Sequence, residues 1–469
     1  MPEERNVFLL TRGWRDTSAG IAITLWGWSR AGPVRAVVTG QEAVMFVRPE
    51  VEVDADRRRP VELSDLHGHP VEAVYFRSQR GMLDERDRLR GQLTMPYESD
   101  VRPVERFLME RFVTGGCAIR GDPVRRERFL ELRNPAVKSA DVDPSLRLAA
   151  FDIETDGKEG PIISIAVATE DREQVLLRGE EGPAISGLRY LPDEASLIEA
   201  FVEWVTVEDP DVLAGWNVVE FDLRRLSERA AHLGVSLALA RGGGRAAVLE
   251  PRSSAQPWMA RVPGRLVLDG IATMRAATWS FERWTLDHVS RELLGRGKHI
   301  ERGEADDGED RVEEIRRMYR EDHAALAAYN LEDCRLVLEI FAKARLLEFV
   351  VERQRLTGLP MDRGGGAVAA FDHLYLPRLH RVGHVAPDTG IGLDRVEASP
   401  GGHVMDSDPG FYSNVLVLDF KSLYPSIIRT FCIDPLGLAF PGDDPVAGFD
   451  GGTFNRERHI LPGLIETLW

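Results

Sequence analysis

The stretch from Arg147 to Glu170 constrains the fold of this chain more than any other. Its first part, RLAAFDIET, predicts a strand closed by Asp156-Gly157, and IISIAVATE predicts a second strand after a short Gly-Pro turn, as in a hairpin. Further along, SLIEAFVEWVTVEDP and FDLRRLSERAAHLG predict helices on either side of another strand, DVLAG, and Gly234 at the end of the second pattern fits a helix C-cap. Strands first, then alternating strands and helices, indicate a mixed sheet covered by helices.

The length of 469 residues predicts about two to four domains. A composition of 43% hydrophobic and 29% charged residues is typical of a globular protein with hydrophobic cores. The sequence contains no uncharged apolar run of about 18 residues, so it predicts no membrane-spanning helix. The N-terminus does not have the pattern of a signal peptide. Cys117, Cys334 and Cys432 lie far apart without a CxxC pair, which favours reduced thiols in a cytoplasmic protein over a zinc site or disulfides.

Residues 1–148 have short apolar runs separated by Gly and Pro, and predict a strand-rich α+β domain, completed by about residues 366–390. Residues 149–365 hold the mixed sheet and end in a long helical pattern that predicts two helices. Residues 391–469 predict a third, incomplete domain, in which the apolar run VLVLD at 415–419 predicts a buried strand. The fold class is therefore a multidomain combination of α/β and α+β.

The formal net charge of −17 would repel nucleic acid at long range, although binding depends on the local field. The segment from Arg241 to Arg265 is basic, and the segment from Glu301 to Glu314 is acidic. Two interpretations stay open for the basic segment: a solvated loop, or a surface that contacts backbone phosphates.

Carboxylates stand at the ends of the predicted strands and on one later helix. Asp152 and Glu154 are two residues apart and leave the same face of a strand. Asp222 ends an N-x-x-x-F-D pattern directly after DVLAG, and Tyr329 and Asp333 share a helix face at i, i+4. Each element alone also occurs in solvated edges and ordinary helices.

Together, the four carboxylates would repel one another and raise one another's pKa unless divalent cations neutralise them. Oxygen-only ligands favour Mg²⁺ or Mn²⁺ over zinc. Two such ions about 4 Å apart clamp the attacking and leaving oxygens of an in-line phosphoryl displacement. Tyr329, on the face of Asp333, is placed to orient the attacking water.

A further carboxylate, Asp419, ends the predicted strand VLVLD. A buried strand-end carboxylate costs free energy unless a metal or hydrogen bonds compensate for it. Backbone N–H groups of the following turn, through Ser422, Leu423 and Tyr424, are able to cradle phosphates. The alternative interpretation is that Tyr424-Pro425 is a turn that anchors a helix.

The strings FDIET, WNVVEFD and YNLEDC resemble, in order and spacing, the three exonuclease motifs of family B DNA polymerases, and DFKSLYPSI resembles their first polymerase motif. The resemblance extends over nearly the whole chain and is strongest to a repair-associated bacterial branch of the family. It implies an RNase H-like 3′–5′ proofreading exonuclease domain. In that domain the metal ligands would be Asp152, Glu154, Asp222 and Asp333, with Tyr329 at the water-positioning place.

For residues 391–469 the resemblance implies the first part of a polymerase palm. Asp419 would bind Mg²⁺; Ser422, Leu423 and Tyr424 would contact the incoming dNTP, with the Tyr424 ring excluding a ribose 2′-OH. One departure is Ser399, which stands where many family members have Tyr before Pro400-Gly401-Gly402.

The implied partners are primer-template DNA and single-stranded 3′ ends, with dNTP and a sliding clamp for a full-length enzyme. We expect a cytoplasmic, nucleoid-associated monomer that acts in DNA replication and repair and has no membrane contact. Candidates for stacking on unpaired bases are Phe221, Trp279 and Trp284.

The fingers helix, the second palm carboxylate and the thumb are not found in the sequence, so we expect an N-terminal fragment that retains the exonuclease chemistry and does not polymerise. Two alternatives stay open. The first is a stand-alone exonuclease with a vestigial palm. The second is a non-catalytic module that binds DNA elsewhere and uses the acidic cluster structurally.

Overall fold

The computed structural model describes residues 3–157, 159–180, 182, 184–251, 258–297, 308–391, 405–419, 422–448 and 451–468. The chain divides into two compact units. Unit one comprises Met1–Trp14, Ile23–Thr39 and Val113–Ala370, and unit two comprises Arg15–Ala22, Gly40–Phe112 and Phe371–Trp469. Among the described residues, no helix combines the length and the apolar character that crossing a membrane requires.

The strands are, in chain order, β1 (Glu3–Thr17), β2 (Gly20–Trp28), β3 (Val34–Gln41), β4 (Ala43–Val47), β5 (Arg57–Ser64), β6 (Pro70–Phe76), β7 (Gly116–Gly121), β8 (Pro123–Arg125), β9 (Leu130–Arg133), β10 (Ala136–Ser139), β11 (Leu148–Thr155), β12 (Ile162–Ala168), β13 (Glu173–Arg178), β14 (Leu188–Leu191), β15 (Val212–Gly215), β16 (Ala247–Leu249), β17 (Met259–Arg261), β18 (Leu266–Asp269), β19 (Val446–Ala447) and β20 (Thr453–Phe454).

The helices are α1 (Gln79–Gly91), α2 (Pro103–Met109), α3 (Glu194–Glu208), α4 (Arg224–Leu233), α5 (Gly270–Ala276), α6 (Leu286–Leu294), α7 (Gly308–Glu321), α8 (His323–Lys343), α9 (Leu346–Thr357), α10 (Ala367–Arg381), α11 (Leu423–Thr430), α12 (Pro435–Ala439) and α13 (Leu461–Leu468). A π-helical turn, Val219–Leu223, leads directly into α4.

The central sheet of unit one is mixed, in the order β14-β13-β12-β11-β15-β18. Strands β11, β12 and β13 pair antiparallel, whereas β11, β15 and β18 run parallel. The predicted hairpin and the predicted mixed sheet covered by helices are both confirmed. A second sheet, in the order β10-β7-β1-β2-β3-β9-β8, confirms that the N-terminal region is rich in strands.

Alternate residues of β11 face opposite sides of the sheet, as strand geometry requires. Phe151 and Ile153 pack in one core cluster with Phe201 of α3, while Ala150 packs in another with Leu336 of α8. Because Asp152 has the same parity as Ala150, it belongs to the face that α8 covers. The sheet thus directs the first predicted carboxylate toward the helix that carries the last one.

The helix boundaries follow the expected end signals. Helix α3 begins after Asp193, whose side chain accepts a hydrogen bond from the N–H of Ser196 at 2.8 Å. Helix α4 ends at Gly234 with φ 71°, which confirms the predicted glycine cap. The long helical pattern divides into α8 and α9 near Arg345, as predicted.

In unit two, the stretch 371–391 is bound to the stretch 40–112. The N–H of Val385 donates to the carbonyl of Ser64 at 2.9 Å, and the N–H of Ser99 donates to Asp388 at 2.6 Å. His380 lies between Glu98 and Glu110, at 2.9 and 3.0 Å from their carboxylate oxygens. The predicted domain bounds 1–148, 149–365 and 391–469 stay predictions.

The predicted buried strand at 415–419 is wrong. These residues form no strand; Leu416 and Leu418 are 85% and 90% exposed, and Asp419 is exposed as well. A strand needs a neighbour for its N–H and C=O groups, and no described strand pairs with this segment. The predicted positions 399–402 lie outside the described residues.

The two ends of the basic segment 241–265 are not solvated, and their guanidinium groups are not available to phosphates. Arg241 lies 2.8 Å from Asp211 and 3.0 Å from Asp209, and Arg265 lies 2.7 Å from Asp209. Both arginine side chains are 3% exposed. The carboxylates lie 30 to 56 positions earlier in the sequence, and they hold these arginines in internal ion pairs.

Candidate metal centre and active site

Three carboxylates meet beside the central sheet. One carboxylate oxygen from each of Asp152, Glu154 and Asp333 lies within 4.8 Å of the other two oxygens. Glu154 and Asp333 are only 4% and 3% exposed, and Asp152 is half-buried. Carboxylates that are buried at such separations stay ionised together only if positive charge lies nearby, and their hard oxygen donors suit Mg²⁺ or Mn²⁺. The residues present therefore fit a divalent cation site.

The local fold explains how the three carboxylates come together. Asp152 and Glu154 lie on one face of β11, and Asp333 lies in the middle of α8, which packs against that face. The pairing of β11 with β12 shifts register between Glu154 and Thr155, so the ladder becomes irregular where the acidic residues stand. Such an irregularity changes the local twist of a strand, as β-bulges do next to many functional sites.

Asp222 lies beside this group but is not one of the three. It is part of the π-helical turn and is 2% exposed. Its Oδ1 accepts a hydrogen bond from the backbone N–H of Ile153, between Asp152 and Glu154, at 3.0 Å. Burial, with the charges of Glu154 and Asp269, raises the pKa of Asp222 well above its usual range. All four predicted exonuclease carboxylates thus lie in or next to one centre.

Asp269 is an acidic residue near the centre that sequence reasoning missed. It is the last residue of β18, it aligns with Gly215 of β15, and it accepts a hydrogen bond from the N–H of Ala272 at 3.0 Å. Backbone hydrogen bonds from Val218 and Val219 also reach it, and burial raises its pKa. The available signal was an acid at the end of a short apolar strand, LVLD, directly before a helix.

Asn330 is the second missed residue, and it contacts a predicted ligand directly. Its Nδ2 donates to Oδ2 of Asp152 at 2.8 Å, and its Oδ1 accepts from the hydroxyl of Ser164 at 2.7 Å. Both Asn330 and Ser164 are fully buried. The signal in the sequence was only its place inside the YNLEDC string.

Tyr329 precedes Asp333 by one helical turn on α8 and is 9% exposed. It packs in a small apolar cluster that includes Ile163 of β12 and Leu326 of α8. The phenol is therefore held where α8 packs against β12, the strand next to the one that carries Asp152 and Glu154.

The predicted stacking residues differ in exposure. Phe221 is half-buried against the core of unit one. Trp279 is 38% exposed, and its ring stacks on Phe281 with 6.0 Å between centroids and 7° between planes. Phe281 in turn meets Trp284 edge-on, and the carbonyl of Trp284 accepts from Nε1 of Trp216, which directly follows β15. This aromatic set, of which only Trp279 is exposed, is thus tied through Trp284 to the residue that follows β15.

The predicted palm residues lie in unit two. Asp419 is exposed and stands outside the three-carboxylate group. Helix α11 begins at Leu423, and Ser422 precedes it with a left-handed φ of 54°. Tyr424 is 79% exposed in the first turn. Ser422, Leu423 and Tyr424 therefore form a helix start.

The geometry agrees with three family matches. The exonuclease domain of DNA polymerase family B matches residues 94–289, the N-terminal region of DNA polymerase II matches residues 8–42, and the DNA polymerase family B model matches residues 366–439. The chain belongs to the family B DNA polymerases.

Among curated relatives, the chain is similar to DNA polymerase II of Escherichia coli (strain K12), with 40% identity over 98% of this chain and 60% of that protein. It is 28% identical to a DNA polymerase of Desulfurococcus sp. (strain Tok), over 86% of this chain and 49% of that protein. The fold matches the family B DNA polymerase of Pyrobaculum calidifontis with a TM-score of 0.76 at 24% identity, over 99% of this chain and 62% of that one. The chain thus spans about half to three fifths of the length of these proteins.

Proposed function

We propose that this chain removes nucleotides from DNA 3′ ends by metal-dependent phosphodiester hydrolysis, and that it belongs to a polymerase II-like enzyme that copies DNA and proofreads in replication and repair. One observation carries the exonuclease part: Asp152, Glu154 and Asp333 converge within 4.8 Å on the sheet face covered by α8. The match to the family B exonuclease domain supports the same assignment.

In this proposal Asp152, Glu154, Asp222 and Asp333 hold two Mg²⁺ or Mn²⁺ ions. When bound, such ions activate water and stabilise the charge that develops on the leaving oxygen. The protein's own contribution is to fix the carboxylates before substrate arrives: β11 sets two of them, α8 sets the third, and the Ile153 N–H holds Asp222. Tyr329 would orient the attacking water by its hydroxyl.

The substrate class is an unpaired DNA 3′ end. Trp279 is 38% exposed and suits stacking on bases without sequence preference. Trp284, half-buried and in edge contact with the Phe281 ring on which Trp279 stacks, is a second candidate. Phe221 packs against the core, which favours a packing role.

For the longer enzyme, we propose that Asp419 binds a metal ion and that Ser422, Leu423 and Tyr424 contact the dNTP, with primer-template DNA and a sliding clamp as partners. The family match over residues 366–439 supports this assignment. A cytoplasmic, nucleoid-associated location and a monomeric state stay predictions of the sequence.

The direction in which the chain degrades DNA and the products that it releases test the exonuclease assignment. A single-stranded oligonucleotide labelled at its 5′ end should shorten through a ladder in Mg²⁺, and the same oligonucleotide labelled at its 3′ end should release labelled mononucleotide from the outset. A non-hydrolysable 3′-terminal linkage is the control and should block both. Internal fragments that appear without 3′ release would contradict the proposal.

A further inference from the structure

A buried relay of three side chains ends on one carboxylate of the candidate centre. The Ser164 hydroxyl donates to Oδ1 of Asn330 at 2.7 Å, and Nδ2 of Asn330 donates to Oδ2 of Asp152 at 2.8 Å. We propose that Asn330, set by Ser164, is a positioning residue that aims the Asp152 carboxylate at the divalent cation. The inference rests on the proposed function, because it concerns the same site.

The direction of the relay follows from which groups donate and which accept. An ionised carboxylate only accepts hydrogen bonds, so the Asn330 amide must present its NH₂ group to Asp152. Its carbonyl oxygen then faces Ser164, whose hydroxyl must donate. Asn330 and Ser164 are 0% exposed, so bulk water does not replace either bond.

The relay joins the elements that carry the three carboxylates. Ser164 lies on β12 directly opposite Glu154 of β11 in the strand register. Asn330 lies on α8, three residues before Asp333 and therefore on a neighbouring part of the same helix face. A change in the spacing of strand and helix would break the relay, so an intact relay fixes the separation of all three ligands.

The relay affects cation binding through the geometry of Asp152. Fixing Oδ2 fixes the rotation of the carboxylate, so less ordering is left to occur when a cation binds. Loss of such a partner typically weakens metal affinity roughly 10–100-fold.

The experiment compares Asn330→Ala and Ser164→Ala with Gln354→Ala. Gln354 is a matched buried amide in unit one: it is 2% exposed, donates to the carbonyl of Leu9 at 2.7 Å and accepts from the N–H of Met361 at 3.1 Å. The readouts are Mn²⁺ affinity without DNA, from the electron paramagnetic resonance signal of free Mn²⁺, and the rise in Tm caused by Mn²⁺. A third readout is the Mn²⁺ concentration that half-saturates hydrolysis.

We expect Asn330→Ala to weaken Mn²⁺ binding roughly 10–100-fold, to lose most of the Mn²⁺-induced rise in Tm, and to recover kcat at saturating Mn²⁺. Ser164→Ala should shift the same quantities in the same direction by less. Gln354→Ala should lower the Tm without Mn²⁺ and leave Mn²⁺ affinity unchanged. Unchanged affinity in Asn330→Ala, or equal losses in Asn330→Ala and Gln354→Ala, would overturn the inference.

The two proposals fail in distinguishable ways. If the unsubstituted chain hydrolyses DNA and Asn330→Ala binds Mn²⁺ normally, only the relay is refuted. If the unsubstituted chain binds Mn²⁺ more tightly than Asn330→Ala but releases no nucleotide, the exonuclease is refuted and the relay stands. If Asn330→Ala does not fold, Ser164→Ala decides, and normal Mn²⁺ affinity in that variant overturns the inference.

Discussion

The backbone N–H of Ile153 donates a hydrogen bond of 3.0 Å to the side chain of Asp222. This bond fastens the π-helical turn to β11 between two of the clustered carboxylates. Asp222→Asn retains an acceptor oxygen, whereas Asp222→Ala leaves a buried N–H without one, which costs about 1–3 kcal/mol. We expect urea unfolding to give Asp222→Ala a lower free energy of unfolding than Asp222→Asn. Both variants should lose nucleotide release. Equal stabilities would contradict the structural role of this bond.

His380 should make the free energy of unfolding depend on pH. Burial would lower the pKa of His380, but hydrogen bonds to Glu110 and Glu98 outweigh it and raise the pKa to about 9. Because the folded pKa exceeds the ordinary value of 6.5, the stabilisation is complete below about pH 6.5 and is lost as pH rises through about 9. Its size should be on the order of 3 kcal/mol.

Urea unfolding between pH 6 and 10 measures this dependence. His380→Gln should flatten the fall in stability between about pH 6.5 and 9, whereas His232→Gln, at an exposed position on α4, should leave it unchanged. An equally steep fall in His380→Gln would show that the titrating group lies elsewhere.

The arginines of the basic segment should separate into structural and surface groups. Arg241→Ala leaves Asp211 buried without its ion-pair partner and should lower the free energy of unfolding, measured in urea, by about 3–5 kcal/mol. Arg245 and Arg261 are exposed, and their Ala variants should stay within about 0.5 kcal/mol of the unsubstituted chain. A loss of several kcal/mol in Arg245→Ala would contradict this division.

The same exposed arginines test contact with DNA. If Arg245 and Arg261 meet backbone phosphates, each Ala variant should reduce the slope of log affinity against log salt by about 0.7 for single strands. Fluorescence anisotropy with a labelled single strand measures this slope. Unchanged slopes in both variants would favour the interpretation of the exposed part as a solvated loop.

Thiol reactivity should follow burial. Burial raises the pKa of Cys117 to about 12 and raises the pKa of Cys334 well above its usual range, so neither forms the reactive thiolate, while Cys432 is half-buried. In the native chain a disulfide reagent should therefore titrate Cys432 rapidly, and all three thiols should react only in urea. Cys432→Ser should remove the rapid phase; a rapid phase that survives would contradict this order.

Local patterns predicted much of unit one. The β11–β12 hairpin, the glycine that ends α4 and the division between α8 and α9 follow from strand alternation, turn residues and helix caps, which act over a few positions. The convergence of Asp152, Glu154 and Asp333 was predicted from family motifs. Its physical reason is the alternation of side chains along β11, which places Asp152 and Glu154 on the sheet face that α8 covers. Their roles as metal ligands stay predictions.

The wrong strand, the buried arginines and the omission of Asn330 depend on partners distant in sequence. The apolar run 415–419 has the pattern of a core strand. A strand forms only where a neighbouring strand pairs with it, however, and no described strand pairs with this run. Arg241 and Arg265 have the sequence pattern of surface charges, because the neighbouring residues in the sequence do not indicate that both form ion pairs with Asp209 or Asp211. Asn330 is set by its hydrogen bonds to Ser164 and Asp152, which lie 166 and 178 positions away.

Hydrolysis of a single-stranded 3′ end by Asp152→Ala tests the central claim most directly. Glu220→Gln, at an exposed position in the same turn as Asp222, is the matched control for loss of one carboxylate. With equal amounts of folded protein in saturating Mg²⁺, we expect Asp152→Ala to release nucleotides at least about 100-fold more slowly than the unsubstituted chain, and Glu220→Gln to match the unsubstituted chain. Undiminished release by Asp152→Ala would contradict the assignment of the carboxylate centre as the active site.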